Sequence, residues 1–486
     1  VTGVPGRAEG RLPEAWLAPA LAVVLAVTLW RVAMLAFARI DLFVDESQYW
    51  LWSRSLDWGY YSKPPLIAWV IRAFTALGGD AAFWVRLPGP LFHGATALIL
   101  GLAARRLGGG RAAFWTAALY ATTPFAAMGS AMISTDTIMA PFFALALLFW
   151  LRLTDSRRAR DAVLAGAAVG VAMLAKYAGV YALLGMALAA ITLQGRIGWR
   201  NAAIVVVTAL AVLSPNLIWN AHHGFVTLGH TADNIAGAGG DDDAPARAGL
   251  NPRGAIEFVL AQFIVFGPIL FGALLAGLRR TGPARPLILW SLPIVALVTL
   301  QALLSRAYAN WAIAAYFAGT VAAVLILANR PLLLRLSLAF GVAVTLALPL
   351  LAAFPTLRLG DKPLLHRYIG RASLSAEAIQ LAKFQGATTI VSDSREVLAD
   401  LFYTGRDSGL DFRAVPPDGR PLSYYQETFA LTDEATGPVL AILSAAPQCN
   451  GMAAPAIRRF DTSGGAYWNR NLAAYLVGPD CLRPPA

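Results

Sequence analysis

Apolar residues fill most of the first 355 positions in long runs, broken by short clusters of arginine, glycine and proline. A helix needs about 20 apolar residues to cross the hydrocarbon of a bilayer. Eleven runs reach or approach that length, at 16–38, 84–104, 112–128, 137–152, 161–175, 178–194, 201–219, 255–278, 286–304, 310–328 and 333–354. The charges between them alternate. With the N-terminal end in the cytoplasm, the cytoplasmic loops hold Arg105, Arg106 and Arg111, then Arg152, Arg157, Arg158 and Arg160, then Arg196 and Arg200, then Arg279, Arg280 and Arg285, then Arg330 and Arg335. The opposite loops are longer yet carry fewer basic residues, and orientation follows this bias. The pattern predicts an odd number of crossings and places the chain after the last one on the outer side. The first run contains Arg31 and is too long for the core of a cleaved signal peptide, so it reads as a retained span.

Two outer loops are long. The loop at 39–83 holds two amphipathic stretches, 47–55 and 66–77, separated by a turn at 60–65, which predicts helices lying along the membrane surface. The loop at 220–254 has a middle rich in glycine and aspartate at 237–243, the composition of a mobile lid. After Pro355 the pattern changes to mixed charge and short alternating segments. Strands are expected at 387–392 and 439–443 and a helix at 395–403. The chain therefore divides into a membrane region, 1–355, and a small outer α/β domain, 356–486. It shows no repeat of fixed period.

Composition agrees with this reading. Hydrophobic residues make up 57% and charged residues 14%, against about 25% charged in soluble domains, and the mean hydropathy is +0.58. These values exclude a disordered or purely soluble chain. The net charge of +11 is mostly arginine, the lysines being Lys63, Lys176, Lys362 and Lys383. Arginines at membrane edges suit membrane lipids and phosphate-bearing partners, not nucleic acid. Cys449 and Cys481 are too few for a disulfide scaffold and form no CxxC; one bridge is open to them in an oxidising compartment.

Ionisable groups in or beside membrane spans are costly, so each is a candidate for function. The first outer loop concentrates them: Asp45 and Glu46, then Lys63-Pro64-Pro65, where two prolines stiffen the backbone behind the lysine. Asp45 also reads as an N-cap of the helix beginning near Ser47, Arg86 as an arginine snorkelling to the interface, and Lys176 as an anchor. Tyr49, Trp50, Trp58, Tyr60 and Tyr61 form an aromatic belt. His222 and His223 flank the expected mobile loop and leave a divalent metal open. The chain has no Gly-rich βα unit for a nucleotide.

The stretches Asp41-Leu-Phe-Val-Asp45-Glu46-Ser-Gln-Tyr49-Trp50 and Leu56-Asp57-Trp58-Gly59-Tyr60-Tyr61-Ser62-Lys63-Pro64-Pro65 closely resemble the first periplasmic loop of bacterial glycosyltransferase family 39. That family is related to the protein O-mannosyltransferases and the lipid A aminoarabinose transferase. Arg86-Leu87-Pro88, Ser134-Thr135-Asp136, Leu174-Ala175-Lys176-Tyr177, Ser214-Pro215-Asn216-Leu217-Ile218-Trp219-Asn220 with His222-His223-Gly224-Phe225, and Ala309-Asn310-Trp311 agree with it. The resemblance spans essentially the whole chain.

It implies a GT-C fold of about 11 transmembrane helices with a small C-terminal periplasmic α/β domain, in the bacterial inner membrane, with the active site facing the periplasm. It also implies a polyprenyl phosphate sugar as donor and a lipid A, lipopolysaccharide or other glycan acceptor. Asp45 falls where the family has its leading base, with Glu46 and Asp136 as further acidic catalytic candidates. Lys63 falls on the donor phosphate contact, joined by Arg86 and Lys176. Tyr60, Tyr61, His222 and His223 are candidate substrate contacts. Ser62 stands where some relatives carry a glutamate before the lysine. A single base suggests inversion in one displacement. Protein O-glycosylation is an alternative on the same chemistry. A lipid-linked sugar transporter or flippase would predict matching broken spans in two halves, and the sequence has no such symmetry.

Overall fold

A computed structural model describes residues 15–236, 250–360, 362–432, 434–435 and 437–483. The expected Gly/Asp-rich stretch at 237–243 lies outside the described residues. The helices in chain order are α1 (Leu17–Phe37), α2 (Val44–Trp52), α3 (Leu66–Gly78), α4 (Ala82–Arg86), α5 (Pro88–Thr122), α6 (Pro124–Ala131), α7 (Thr135–Ser156), α8 (Ala159–Ala175), α9 (Tyr181–Ala189), α10 (Trp199–His222) and α11 (Val226–Ala236). They continue with α12 (Pro252–Val265), α13 (Pro268–Ala276), α14 (Ala284–Leu304), α15 (Ile313–Ile326), α16 (Pro331–Ala353), α17 (Arg371–Phe384), α18 (Arg395–Thr404) and α19 (Tyr424–Thr428).

Among the described residues, seven helical stretches are long and apolar enough to cross a membrane, or eight if one bent pair is a single span. The bent pair is α12 with the helix from Pro268 to Arg279, which meet at 115°. The single crossing expected at 255–278 is thus broken, at Gly267, whose φ of +98° favours glycine. The runs expected separately at 84–104 and 112–128 are two helical halves within α5, turned back on each other where Gly108 and Gly109 leave helical geometry, so that a Cβ on Gly101 would lie 3.2 Å from Ala113 O and 3.3 Å from Ala117 Cβ. The segment expected as loop from 220 to 254 is partly helical, because α10 runs to His222 and α11 follows after a turn at Gly224 and Phe225.

Small residues let the helices close up. Gly166 and Gly170 sit four apart on α8, and a Cβ there would lie 2.4 Å from Val205 O and 2.8 Å from Ala209 O of α10. Only a residue without a side chain permits that approach. Arg31 is buried within the bundle. It donates to Ser130 Oγ at 3.2 Å, Ala121 O at 2.8 Å and Thr345 Oγ1 at 3.1 Å, tying α1 to α5, α6 and α16.

Beyond α16 the strands are β1 (Arg358–Leu359), β2 (Lys362–Pro363), β3 (Thr389–Ser392), β4 (Asp411–Ala414), β5 (Val439–Leu443), β6 (Gln448–Cys449), β7 (Met452–Ala453), β8 (Arg458–Arg459) and β9 (Ala473–Val477). β1–β2 and β6–β7 are short antiparallel pairs. The main sheet has the order β4-β3-β5-β9-β8, with β3 parallel to both neighbours and β9 antiparallel to β5 and β8. The expected strands and helix are there as β3, β5 and α18, and Cys449 bonds Cys481. α18 packs between this sheet and α2. Val44, Leu398, Ala399, Ala414 and Tyr425 form one buried cluster across the junction. Asp41 Oδ2 also accepts from Arg371 N at 2.8 Å, capping α17 from the first loop.

Candidate active site

Successive residues on a helix point about 100° apart, so α2 turns its two adjacent carboxylates to different surroundings. Glu46 faces the bundle and is 1% exposed. Its Oε1 accepts from Arg86 Nε and Ile133 N, both at 2.9 Å, and its Oε2 from Arg86 Nη2 at 2.7 Å and Phe43 N at 2.9 Å. About four lone-pair positions exist on a carboxylate, and all are taken. Arg86 completes its set on Ile40 O at 3.3 Å and Asp41 O at 2.7 Å. This geometry weighs against the expectations of Glu46 as a reacting group and Arg86 as a phosphate ligand. The two brace the first loop, joining α2 to the end of α4 and to the turn leading into α7.

Asp45 faces the small domain, its side chain 45% exposed. The helix begins at Val44, so Asp45 lies in the first turn rather than at the cap. There the helix dipole favours its charge. Arg395 Nη2 donates to Asp45 Oδ1 at 2.6 Å, and Arg395 Nε donates to Gln48 Oε1 at 3.0 Å.

Asp136 and Lys176 form one unit. Ser134 caps α7, its Oγ accepting from Thr137 N at 3.3 Å, which puts Asp136 in the first turn. Lys176 ends α8 in an extended conformation and reaches Asp136 Oδ1 at 2.8 Å and Oδ2 at 2.7 Å. The acidic candidate and the phosphate candidate therefore pair with each other. The hydrogen bond from Ile133 N to Glu46 links this pair to the helix of Asp45.

The turn at 60–65 is built by its aromatic residues. Tyr60 Oη donates to Trp52 O or Ser55 O, at 3.1 and 3.0 Å, and accepts from Asp57 N at 3.1 Å; its ring stacks on Trp52. Burial pushes its phenol well above the usual tyrosine value. Tyr60 holds the turn, which weighs against its expected role as a substrate contact. Tyr61 is equally buried and donates to Pro421 O at 3.2 Å. Lys63 is half-buried at the end of the turn, and its carbonyl accepts from Tyr60 N at 3.1 Å. Behind it, Asn216 Nδ2 donates to Trp58 O at 2.7 Å, Tyr177 Oη to Asn216 Oδ1 at 2.8 Å, and Thr227 Oγ1 to Tyr60 O at 2.6 Å. His223 stacks on Trp219 at 4.0 Å between ring centres, while His222 is exposed. Among the described residues no three His, Cys, Asp or Glu side chains gather into a set able to hold a metal, so the divalent ion left open by the sequence has no fitting ligands there.

Sequence reasoning missed Arg395 and Gln48. Arg395 is 350 residues from its partner Asp45, and nothing local marks it. Asn216 and Tyr177 lie within stretches that matched the family, which was the only signal for them.

A membrane-embedded helical bundle with an acidic helix on its first long loop, covered by a small α/β domain, defines an integral-membrane glycosyltransferase of the GT-C class. The sequence profile described as dolichyl-phosphate-mannose-protein mannosyltransferase matches residues 62–219. The lipid A galacturonosyltransferase RgtD of Rhizobium johnstonii is 43% identical over 476 residues, covering 96% of this chain and 99% of that protein. The chain belongs to this family of glycosyltransferases, family 39, related to the protein mannosyltransferases. Its fold is shared with ArnT from Cupriavidus metallidurans. The crystal structure bound to undecaprenyl phosphate aligns with a TM-score of 0.66 at 18% identity, over 98% of this chain and 100% of that one. The apo structure aligns at 0.62 and 15% identity, over 97% and 99%.

Proposed function

We propose that this enzyme transfers a uronic acid, galacturonic acid being the leading candidate, from a polyprenyl phosphate carrier to lipid A, on the periplasmic face of a bacterial inner membrane. The observation that carries this reading is the 43% identity along nearly the full length of a lipid A galacturonosyltransferase. A fold shared with a protein crystallised with undecaprenyl phosphate fits a lipid-linked donor. The arginine bias of the short loops and the disulfide of the small domain fit an outer, oxidising compartment.

In the proposed step an acceptor hydroxyl attacks the anomeric carbon from the face opposite the carrier. The bond from that carbon to the phosphate oxygen breaks, its electron pair leaves with the polyprenyl phosphate, and the configuration inverts. The hydroxyl proton passes to Asp45, the one of the two adjacent carboxylates that is open to the surface. Lys63 is assigned to the leaving phosphate, where a cation offsets the developing charge. The Asp136–Lys176 pair orients hydroxyls of donor or acceptor. Glu46 and Arg86 position the loop. His222, exposed at the end of α10, is assigned to the acceptor.

The test is transfer by the purified full-length enzyme from polyprenyl phosphate galacturonic acid to lipid A, followed by mass spectrometry, with Asp45→Asn and Lys63→Ala beside the wild type. Product from wild type that is lost in both folded variants supports the reading. Full activity in Asp45→Asn removes the base assignment, and an inactive wild type with this donor and acceptor overturns the proposed function.

A further inference from the structure

We propose that Arg395, supplied by the small domain, selects an acidic sugar by binding the carboxylate of a uronosyl donor beside Asp45. This rests on the transfer reading above and names the group that enforces its substrate class.

Asp45 and Gln48 are three residues apart on α2 and so share a face. Arg395 meets both, at 2.6 Å and 3.0 Å. The contact is open, because the side chains of Arg395 and Asp45 retain 22% and 45% of their exposure. A small donor group can therefore reach the edge of the guanidinium from the surface.

The cation is also held in place. Arg395 opens α18, a helix of ten residues capped by Ser394, whose Oγ accepts from Val397 N at 3.4 Å. Leu398 and Ala399 on the same helix are fully packed against Val44 of α2. The guanidinium and Asp45 are thus fixed relative to each other by a shared core, the rigidity that selective recognition requires. The dipole of α18 adds partial positive charge at this end of the helix.

The chemistry calls for such a group. A uronosyl donor brings a second carboxylate close to the carboxylate that must accept the hydroxyl proton, and like charges disfavour that approach. A guanidinium has five N–H donors in a flat fork and can serve carboxylates along more than one edge. Arg395 can bridge Asp45 and the sugar carboxylate, offsetting their repulsion and fixing the ring relative to the base. A hexose places a neutral hydroxymethyl at that point and gains nothing from the cation. An amino sugar would set a second cation against it.

The experiment compares full-length wild type, Arg395→Gln and Arg395→Lys with two donors, polyprenyl phosphate galacturonic acid and polyprenyl phosphate galactose. These differ only in a carboxylate against a hydroxymethyl. The readout is the ratio of kcat/KM for the two donors with lipid A as acceptor, with thermal unfolding of each protein as a folding control. The expected result is a wild-type preference for the uronosyl donor on the order of 100-fold, falling by at least about 30-fold in Arg395→Gln and partly restored in Arg395→Lys. Equal loss on both donors, or a wild type that does not discriminate, overturns this inference while leaving the transfer reading intact. A wild type inactive with both donors overturns the two together. If Arg395→Gln does not fold, the wild-type ratio and the Arg395→Lys ratio still decide.

Discussion

Glu46 and Arg86 meet fork to fork, Nε to Oε1 at 2.9 Å and Nη2 to Oε2 at 2.7 Å, each residue only 1% exposed. Removing one partner of such a pair leaves the other charge buried and unpaired, which costs about 3–5 kcal/mol. Arg86→Met should therefore lower the melting temperature and the yield of folded protein sharply, with a smaller loss for Glu46→Gln, which keeps the shape. Thermal unfolding in detergent measures this. An Arg86→Met protein as stable as wild type would show that the pair contributes nothing to the fold.

Asp45 differs from its neighbour in every respect that bears on function. Its side chain is nearly half exposed and its named partner is Arg395. Asp45→Asn should leave the melting temperature almost unchanged, since exposed ion pairs contribute about 0–1 kcal/mol. Transfer should fall by about 10²–10⁴-fold, the usual contribution of a general base. Assay and unfolding on the same preparation separate the two effects. A large loss of stability with little loss of turnover would exchange the roles assigned to Asp45 and Glu46.

The contrast between these adjacent carboxylates marks where the sequence stops being informative. Their place beside an amphipathic stretch was legible, as were α3, β3, β5 and α18, because apolar periodicity is local; that the helix starts at Val44 and takes in both carboxylates was not, the stretch being expected from Ser47. Which carboxylate is sealed was not legible, since it depends on Arg86, 40 residues away, and on the Ile133 amide, 87 residues away. Arg395 is more remote still. The bend at Gly267 escaped for another reason: the apolar run continues through it, and hydropathy does not record backbone direction. The same holds for α11, whose start depends on the turn at Gly224 and Phe225 rather than on composition.

Asp136 and Lys176 should behave as a coupled pair. Two contacts of 2.8 and 2.7 Å with side chains 9% and 22% exposed place this ion pair between the sealed and the open cases. Asp136→Asn and Lys176→Met should each lower stability, and the double variant should lose less than the sum, with a coupling of about 1–3 kcal/mol. A double-mutant cycle by thermal unfolding reads that coupling directly. Strict additivity would mean that the two side chains act independently, and would return Lys176 to a separate role at the donor phosphate.

Asp400 gives the small domain a pH dependence. It lies on α18 and is 2% exposed, accepting from Thr404 Oγ1 at 3.0 Å. Burial raises its pKa from 3.8 to about 6, reinforced by Asp41 and opposed by Arg371 and by its hydrogen bonds. The folded state thus holds the proton more tightly than the unfolded chain. Between the two pKa values the folded state binds more protons, so stability falls as pH rises from about 4 to about 6, by roughly 3 kcal/mol, and is level above that. Asp400→Asn removes the ionisation while keeping the side-chain volume. The variant should therefore be more stable than wild type at about pH 7.5, and the gap should narrow at about pH 5 as wild type takes up its proton. Paired thermal unfolding curves at the two pH values test the sign. A variant that is less stable at the higher pH would mean that Arg371 stabilises an ionised Asp400, reversing the balance between burial and charge on this helix.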